Sequence, residues 1–427
     1  MIPLPLAELA PLGRVEAAPW AVEVTGVRVD SRLVEEGDLF VAIGPGADYV
    51  KHAFARGAAA VLVPGDAHGA LAALGRAVRD RSGARIVAVT GSVGKTSTKD
   101  LLGAMCAVSA RTIAAEHGFN QEIGVPLTVC RIEPDTEVAV VEMGMRGLGQ
   151  IRALCEIAQP HVGVITAIAP VHLGLLGTLE RIAEAKAEVV AGLLPGGVAL
   201  VPAGIPELDP FLEREGVEIR RFGEGGDYRV REVTQEEGTT RIDFTARGEP
   251  VRVTFPRLPR HQVGNALAAL AGYDALGLPL GELDHVEPSF SRWRGDEVAL
   301  QGGGLLINDA WNANPPAMRA ALEHLAERAA GRRIVAVLGT MAELGPDSPR
   351  YHEEIGRLVS ELGVDVLVAV GEPARAYLGG SVATTRWVPD AEHAVEALAE
   401  VLEPGDCVLV KGSRAVGLEI VAEAAVV

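Results

Sequence analysis

Short apolar runs alternate along this chain with segments of helical period, the pattern of parallel α/β sheets. Strands are predicted at Val22–Val29, Leu39–Ile43 and Ala60–Val63, ahead of a polar break at Arg81-Ser82-Gly83. A second series opens at Arg85–Val89 and continues at Val138–Val141, Val162–Ile168 and Val198–Val201. From 216 to 256 the pattern changes to strict alternation, as in Val251-Arg252-Val253-Thr254-Phe255, which predicts a β-rich extension of the same domain. A helix is predicted from His261 to Leu276. A third series then runs through Leu305–Ile307, Ile334–Leu338, Val366–Val370 and Cys407–Val410. With 427 residues, too many for one ordinary core, the expected fold is α/β in three domains, 1–83, 84–297 and 298–427.

The strand ending Ile86-Val87-Ala88-Val89-Thr90 leads into Gly91-Ser92-Val93-Gly94-Lys95-Thr96-Ser97 and then a helical segment to Ser109. A tight glycine turn between strand and helix aims backbone N–H groups at an anion, and the helix dipole adds to the attraction. In that setting Lys95 meets the β- and γ-phosphates and the Thr96 hydroxyl holds Mg²⁺. The spacing is the shorter Gly-x-x-Gly-Lys-Thr form, with Val89 where a longer phosphate loop carries its first glycine. A plain helix-capping turn is the alternative in a chain with 50 glycines. The joint occurrence of strand, turn, lysine, hydroxyl and helix favours a nucleotide.

Glu142 closes the apolar run Val138–Val141, and a carboxylate at the carboxyl end of a parallel strand is placed to meet Mg²⁺. An ordinary acidic strand end accounts for it equally well. His172 follows the next strand and reaches the same edge. Lys186 says more. In the predicted helix Thr178–Leu194 it shares a stripe with Ile182, Val189 and Leu193. A lysine facing a core is costly unless its charge is paired, lost or changed. Either it snorkels to an edge, or it is a functional amine, and N-carboxylation would turn it into a Mg²⁺ ligand.

Composition narrows the choice further. Among 39 basic residues only Lys51, Lys95, Lys99, Lys186 and Lys411 are lysines. Arginine supplies surface charge elsewhere, so a retained lysine marks a need for a compact, modifiable amine. A formal charge of −18 argues against a nucleic-acid-binding surface. The stretch Ala187–Ile205, though apolar, is interrupted by Glu188, Pro195, Gly196, Gly197 and Pro202, so no membrane insertion is expected. Nor does Met1-Ile2-Pro3-Leu4-Pro5 have the build of a signal peptide. Cys106, Cys130, Cys155 and Cys407 have no metal or redox spacing and are expected to be buried, inert thiols in a reducing cytoplasm.

With these residues in view the chain resembles the Mur ligases of peptidoglycan synthesis over nearly its whole length. The resemblance rests on Asp30-Ser31-Arg32, Thr90–Ser97, Asn120-Gln121-Glu122-Ile123-Gly124-Val125-Pro126, Glu142-Met143-Gly144-Met145-Arg146 and Ala185-Lys186-Ala187-Glu188. It continues through His261–Ala269, Asn308-Asp309-Ala310-Trp311-Asn312-Ala313-Asn314-Pro315, Met341-Ala342-Glu343-Leu344-Gly345 and Lys411-Gly412-Ser413-Arg414. The last three point to the dipeptide-adding branch. Trp311 stands where the family usually has tyrosine, and Gln121 where it has a second asparagine.

What the resemblance implies is a small α/β UDP-binding domain, a central P-loop domain with a parallel sheet, and a C-terminal Rossmann-like domain. The implied reaction joins D-alanyl-D-alanine to UDP-N-acetylmuramoyl-tripeptide at the expense of ATP, in the cytoplasm, by a chain acting as a monomer. Ser31 and Arg32 would face the UDP moiety and Asn120 the muramoyl substrate. Gly91, Ser92, Val93, Gly94, Lys95, Thr96 and Ser97 would hold the ATP phosphates, with Asn265 at adenine, Arg294 at the phosphates and Asp309 at the ribose. Thr96, Glu142, His172 and Lys186, the last as a CO₂-derived carbamate, would hold Mg²⁺, a second ion included. The catalytic set would be Lys95, Glu142, His172 and Lys186. Lys411, Ser413 and Arg414 would meet the dipeptide carboxylate or the acyl-phosphate, a polar helix cap being the plain alternative for these three. Without the resemblance, a P-loop hydrolase and an amide ligase for another substrate both remain open.

Overall fold

The computed structural model describes every residue except His117, His172, Glu237 and Val427. The chain forms two compact units: Met1–Ala167 with Glu184–Leu258 and Gly264–Ser289, and Ile168–Ala183 with Pro259–Val263 and Phe290–Val427.

The first unit holds two larger sheets. The smaller has four strands in the order Gly13–Ala17, Ala60–Pro64, Asp38–Val41, Gly26–Arg28, with Val61, Leu62, Leu39 and Phe40 buried. The predicted strand Val22–Val29 is divided. Glu23–Val24 pairs with Leu4–Pro5, and Gly26–Arg28 pairs with Asp38–Phe40, because Thr25 between them turns its N–H to Gly37.

The larger sheet has nine strands. At its centre β1 (Arg85–Thr90) runs parallel to β2 (Val138–Glu142) on one side and to β3 (Val162–Ile165) on the other. Beyond β3 lie β4 (Val198–Pro202) and Glu218–Phe222. The antiparallel strands Tyr228–Glu236, Thr239–Ala246 and Glu249–Pro256 complete that side. The alternating region is therefore a direct continuation of the parallel sheet. Strands β1 to β4 are buried on both faces and read as unbroken Val/Ile/Ala runs. In Thr239–Ala246 only Thr240, Ile242, Phe244 and Ala246 are buried, which is the source of the alternation. Strand order reverses at β1, and the switch point of such a sheet is where ligands bind.

Three helices serve this edge: α1 (Lys95–Ser109), α2 (Gln150–Ala158) and α3 (Leu179–Ala191). Strand β3 ends earlier than predicted. After Ile165 the chain bends over the glycine loop, with Thr166 N–H bonded to Thr90 and Ser92 N–H to Ala167.

The second unit is a six-stranded sheet in the order Asp296–Ala299, β5 (Leu305–Asp309), β6 (Cys407–Lys411), Ile334–Gly339, Val366–Val370, Thr384–Val388. The first strand is antiparallel to β5 and the rest are parallel. Met318, Leu322, Leu325 and Ile355 cover one face; Ala394, Leu398, Leu418 and Val421 cover the other. The two edge strands escape sequence prediction because their polar residues leave no apolar run.

All four cysteines are free and buried. Burial pushes the Cys106, Cys130 and Cys155 thiols up to about 12 and that of Cys407 to about 11, which keeps them inert. Among the described residues no helix is long and apolar enough to cross a membrane.

Candidate active site

The glycine loop is shaped by what lies against it. A side chain at Gly91 (φ +145°) would overlap the Thr166 hydroxyl, and one at Gly94 (φ +81°) would overlap the Asn265 amide. Both positions therefore need glycine for space as well as for the left-handed backbone. Thr166 Oγ1 donates to Val93 O at 2.5 Å, fixing the loop from the β3 side. Lys95 is the first residue of α1 and folds back over the loop, donating from Nζ to Gly91 O at 2.9 Å. The buried hydroxyls of Thr96 and Ser97 follow it at the helix start. This is an anion cradle with its cation already in place. Asn265, near the start of the helix Val263–Ala275, also reaches α1, where Thr98 Oγ1 donates to its Oδ1 at 3.4 Å.

One strand away, Glu142 closes β2 and is buried. Asn120 Nδ2 donates to Glu142 Oε1 at 2.8 Å, and the Asn120 carbonyl accepts from Gly144 N–H at 2.7 Å. Asn120 thus holds the carboxylate at a set angle. Thr90 Oγ1 donates to Met143 O at 2.8 Å and ties the Glu142 loop to the glycine loop.

Lys186 occupies α3 and is 1% exposed. Its stripe partners Ile182, Val189 and Leu193 are buried with it, as the sequence predicts. Among the described residues no hydrogen bond or ion pair holds its ammonium. Burial first, and the charge of Lys95 second, hold its pKa well below 10.5, against the opposing pull of Glu142 and Glu188. Almost none of the residue reaches water. His172 lies outside the described residues.

Among the described residues no group of three His, Cys, Asp or Glu side chains converges on a metal position. Glu142 and the Thr96 hydroxyl are hard oxygen donors that suit Mg²⁺, an ion that takes few protein ligands and keeps water and phosphate for the rest. When bound, Mg²⁺ would offset phosphate charge.

In the second unit Lys411 closes β6 and is also 1% exposed, but its charge is met. Its Nζ donates to Asp309 Oδ2 at 2.6 Å and to Asn312 O at 2.8 Å. It therefore sits beneath the Asp309–Asn314 loop, and its ammonium is engaged there. Ser413 is buried as well and accepts Ala342 N–H at 2.9 Å. It makes no side-chain cap to the turn that follows, so the helix-cap alternative is not what it does. Arg414 is the accessible member. It pairs with Glu419 and lies 4.9 Å from the Trp293 ring and 5.3 Å from the Trp311 ring. Arg294 lies over Trp311 at 5.6 Å, and the two indoles stack at 5.8 Å. Trp293 and Glu343 hold positive φ of 62°, a strained backbone of the kind that gathers at functional sites. Replacing Lys411 with methionine should cost about 3 kcal/mol of stability, because Asp309 then loses its buried partner. Urea unfolding reads this directly. A loss below about 1 kcal/mol would show the pair to be dispensable.

At the N-terminal end Ser31 is buried and 3.0 Å from His52 Nδ1. Arg32 projects with 81% of its side chain exposed and pairs with Asp30 at 2.6 Å. That bond, with a second from the Arg32 backbone, holds the Asp30 carboxyl down at about 2. His52, Thr90, Thr166, Glu188 and Trp293 are the contributors to which sequence reasoning gave no role. Only pairing in the fold reveals the first four. Trp293 sits beside Arg294 in the sequence and could have been weighed as its stacking partner.

Comparison with known proteins follows the same map. Residues 89–272 match the Mur ligase middle domain and residues 293–414 the Mur ligase glutamate ligase domain. The UDP-N-acetylmuramoyl-tripeptide–D-alanyl-D-alanine ligase of Mycobacterium bovis is 36% identical over 94% of this chain and 92% of that protein. The crystal structure of MurF from Acinetobacter baumannii superposes with a TM-score of 0.83 at 29% identity, covering 99% of this chain and 98% of that one. MurF ligase from Thermotoga maritima, solved in complex with ADP, gives a TM-score of 0.77 at 28% identity over 93% of this chain and 96% of that one.

Proposed function

This chain belongs to the Mur ligase family, and we propose that it is the ATP-dependent ligase that joins D-alanyl-D-alanine to UDP-N-acetylmuramoyl-tripeptide, in the cytoplasm. The observation that carries this reading is the placement of the glycine loop, the Asn120-bound Glu142 and the buried Lys186 in one unit of a chain 36% identical to a ligase of that name.

A carboxylate is a poor electrophile. The terminal carboxylate of the tripeptide therefore attacks the γ-phosphorus of ATP, ADP departs, and an acyl-phosphate forms. The neutral amine of D-alanyl-D-alanine then attacks the acyl carbon, the C–O bond to phosphate breaks, and a proton leaves the new amide nitrogen. Lys95 and the backbone N–H groups of Gly91–Ser97 offset charge on the transferred phosphoryl group, a task that needs positioning more than covalent chemistry. Thr96, His172 and Glu142, the last oriented by Asn120, would hold Mg²⁺. Lys186 would join them as a carbamate, formed when its neutral amine adds to CO₂ and releases a proton. Asn265 would contact adenine, Asp309 the ribose and Arg294 the phosphates. Asn120 would also border the muramoyl substrate, and Ser31 and Arg32 the uridine diphosphate. Arg414, with Lys411 and Ser413 holding its loop, would receive the dipeptide carboxylate. The three-domain division at 83/84 and 297/298 belongs to the same proposal.

The test is an assay of the purified chain with ATP, UDP-N-acetylmuramoyl-tripeptide ending in lysine or diaminopimelate, and D-alanyl-D-alanine. Phosphate release should require both acceptors, and mass spectrometry should find the pentapeptide product. Phosphate release that ignores the acceptors would identify a hydrolase instead.

A further inference from the structure

Helix α2 begins without a cap of its own. Gly149 stands at the N-cap, where it offers no side-chain acceptor, and holds a φ of +83°. The first N–H groups of a helix need an acceptor from somewhere when they are buried. Here two N–H groups at the start of α2 find theirs in one side chain of another helix. The buried Glu188 of α3 accepts Gly149 N–H on Oε1 and Arg152 N–H on Oε2, the latter at 3.1 Å. A carboxylate at a helix N-terminus also gains from the helix dipole.

The same two helices touch again one turn further along α3. A side chain at Gly192 would overlap Cys155 of α2, and Cys155 Sγ lies 3.7 Å from Met143 Sδ, next to Glu142. The connection between Glu142 and α2 is drawn in by the start of α2 itself, since Gln150 Oε1 accepts Arg146 N–H at 2.6 Å and Gly147 N–H at 3.2 Å. Glu188 and Gly192 are four residues apart and so share the α2-facing side of α3. Lys186 is two residues from Glu188, roughly 200° around the helix, and faces the opposite way.

We propose that Glu188 is a positioning residue for the ligation reaction. By clamping α3 to the start of α2, it fixes the depth and rotation at which Lys186 is presented to the Glu142 edge. This inference rests on the ligase reading above. An uncharged glutamine at 188 still accepts one N–H but turns an NH₂ donor against the other, so α3 is released on one side.

The experiment compares wild type, Glu188→Gln and Gly192→Ala in the ligation assay, with ATP affinity measured separately by calorimetry and folding checked by circular dichroism. Glu188→Gln should lower kcat by about 10- to 100-fold, the usual effect of losing a group that orients a ligand. ATP affinity should stay within about twofold, because the glycine loop is built on β1 and α1, which the clamp does not touch. Gly192→Ala pushes α3 from α2 without altering any charge and should lower kcat in the same sense. A helix cap with no part in positioning would cost thermal stability and leave kcat intact in the folded variants, and that result overturns the inference. If Glu188→Gln does not fold, Gly192→Ala decides, and an unchanged kcat there overturns it equally. A wild-type protein that makes no pentapeptide would strike at the ligase reading, whereas active wild type with unaffected variants strikes only at Glu188.

Discussion

Lys95→Ala should abolish ligation while leaving the fold in place. The Lys95 ammonium leans over the loop, bonded to Gly91 O and Ser92 O. The loop backbone thus orients it, and little reorganisation is required when charge develops on the phosphoryl group. Removing one such preorganised donor lowers kcat by about 10²- to 10³-fold in well-studied cases. A lysine is harder to replace, since water supplies no cation at that point. ATP affinity should fall as well, because the same amine meets the ground-state phosphates. The stability cost without nucleotide is that of hydrogen bonds from a half-buried amine, about 1 kcal/mol. Ligation kinetics, ATP titration and thermal melting together check the assignment. A large loss of melting temperature with near-normal ATP affinity would make Lys95 a structural residue instead.

The sequence carried the sheet-and-helix order because strands buried on both faces cannot avoid long apolar runs. Arg85–Thr90, Val138–Glu142, Ile334–Gly339 and Val366–Val370 all appear within two residues of their predicted bounds. It was least informative where a strand has a solvent edge. Asp296–Ala299 and Thr384–Val388 have too few apolar residues to announce themselves, and Glu23–Arg28 is split by a turn that depends on Gly37, far along the chain. The site divides on similar lines. A phosphate loop is legible because every part lies within eight consecutive residues. Glu142 and Lys186 were legible as anomalies, a carboxylate after a strand and a cation on an apolar stripe. The supports were not, because Asn120 holds Glu142, and Thr166 the glycine loop, through bonds between segments distant in the chain. Lys411 shows the limit most clearly. By pattern it equals Lys186, a scarce lysine in a motif. Only the fold shows that Asp309 and Asn312 already satisfy it.

That contrast sets up the last expected result: Lys186→Met should be nearly inactive yet more stable than the wild-type protein in CO₂-depleted buffer. Lys186 and Lys411 are equally buried, but the partners differ. Lys411 loses an ion pair on substitution, whereas the bare amine of Lys186 has none to lose among the described residues and methionine fills the same space without a polar atom. The sign with pH follows. An unfolded lysine keeps its proton up to about 10.5, and the buried one gives it up well below that. Between those two values the unfolded chain binds more protons, so the stability of the unmodified protein rises with pH and the methionine variant lacks that slope. The activity loss has the other cause. As a carbamate, Lys186 would carry an anion to the Glu142 edge, and losing such a ligand costs at least about 10- to 100-fold. Bicarbonate should restore activity to CO₂-depleted wild type and do nothing for the variant, while acetate should recover a fraction in Lys186→Ala by entering the vacated space. NMR with ¹³C-bicarbonate would detect the carbamate carbon itself. An unmodified amine in the nucleotide-bound enzyme, or full activity in Lys186→Met, would leave Lys186 a buried lysine without a catalytic part.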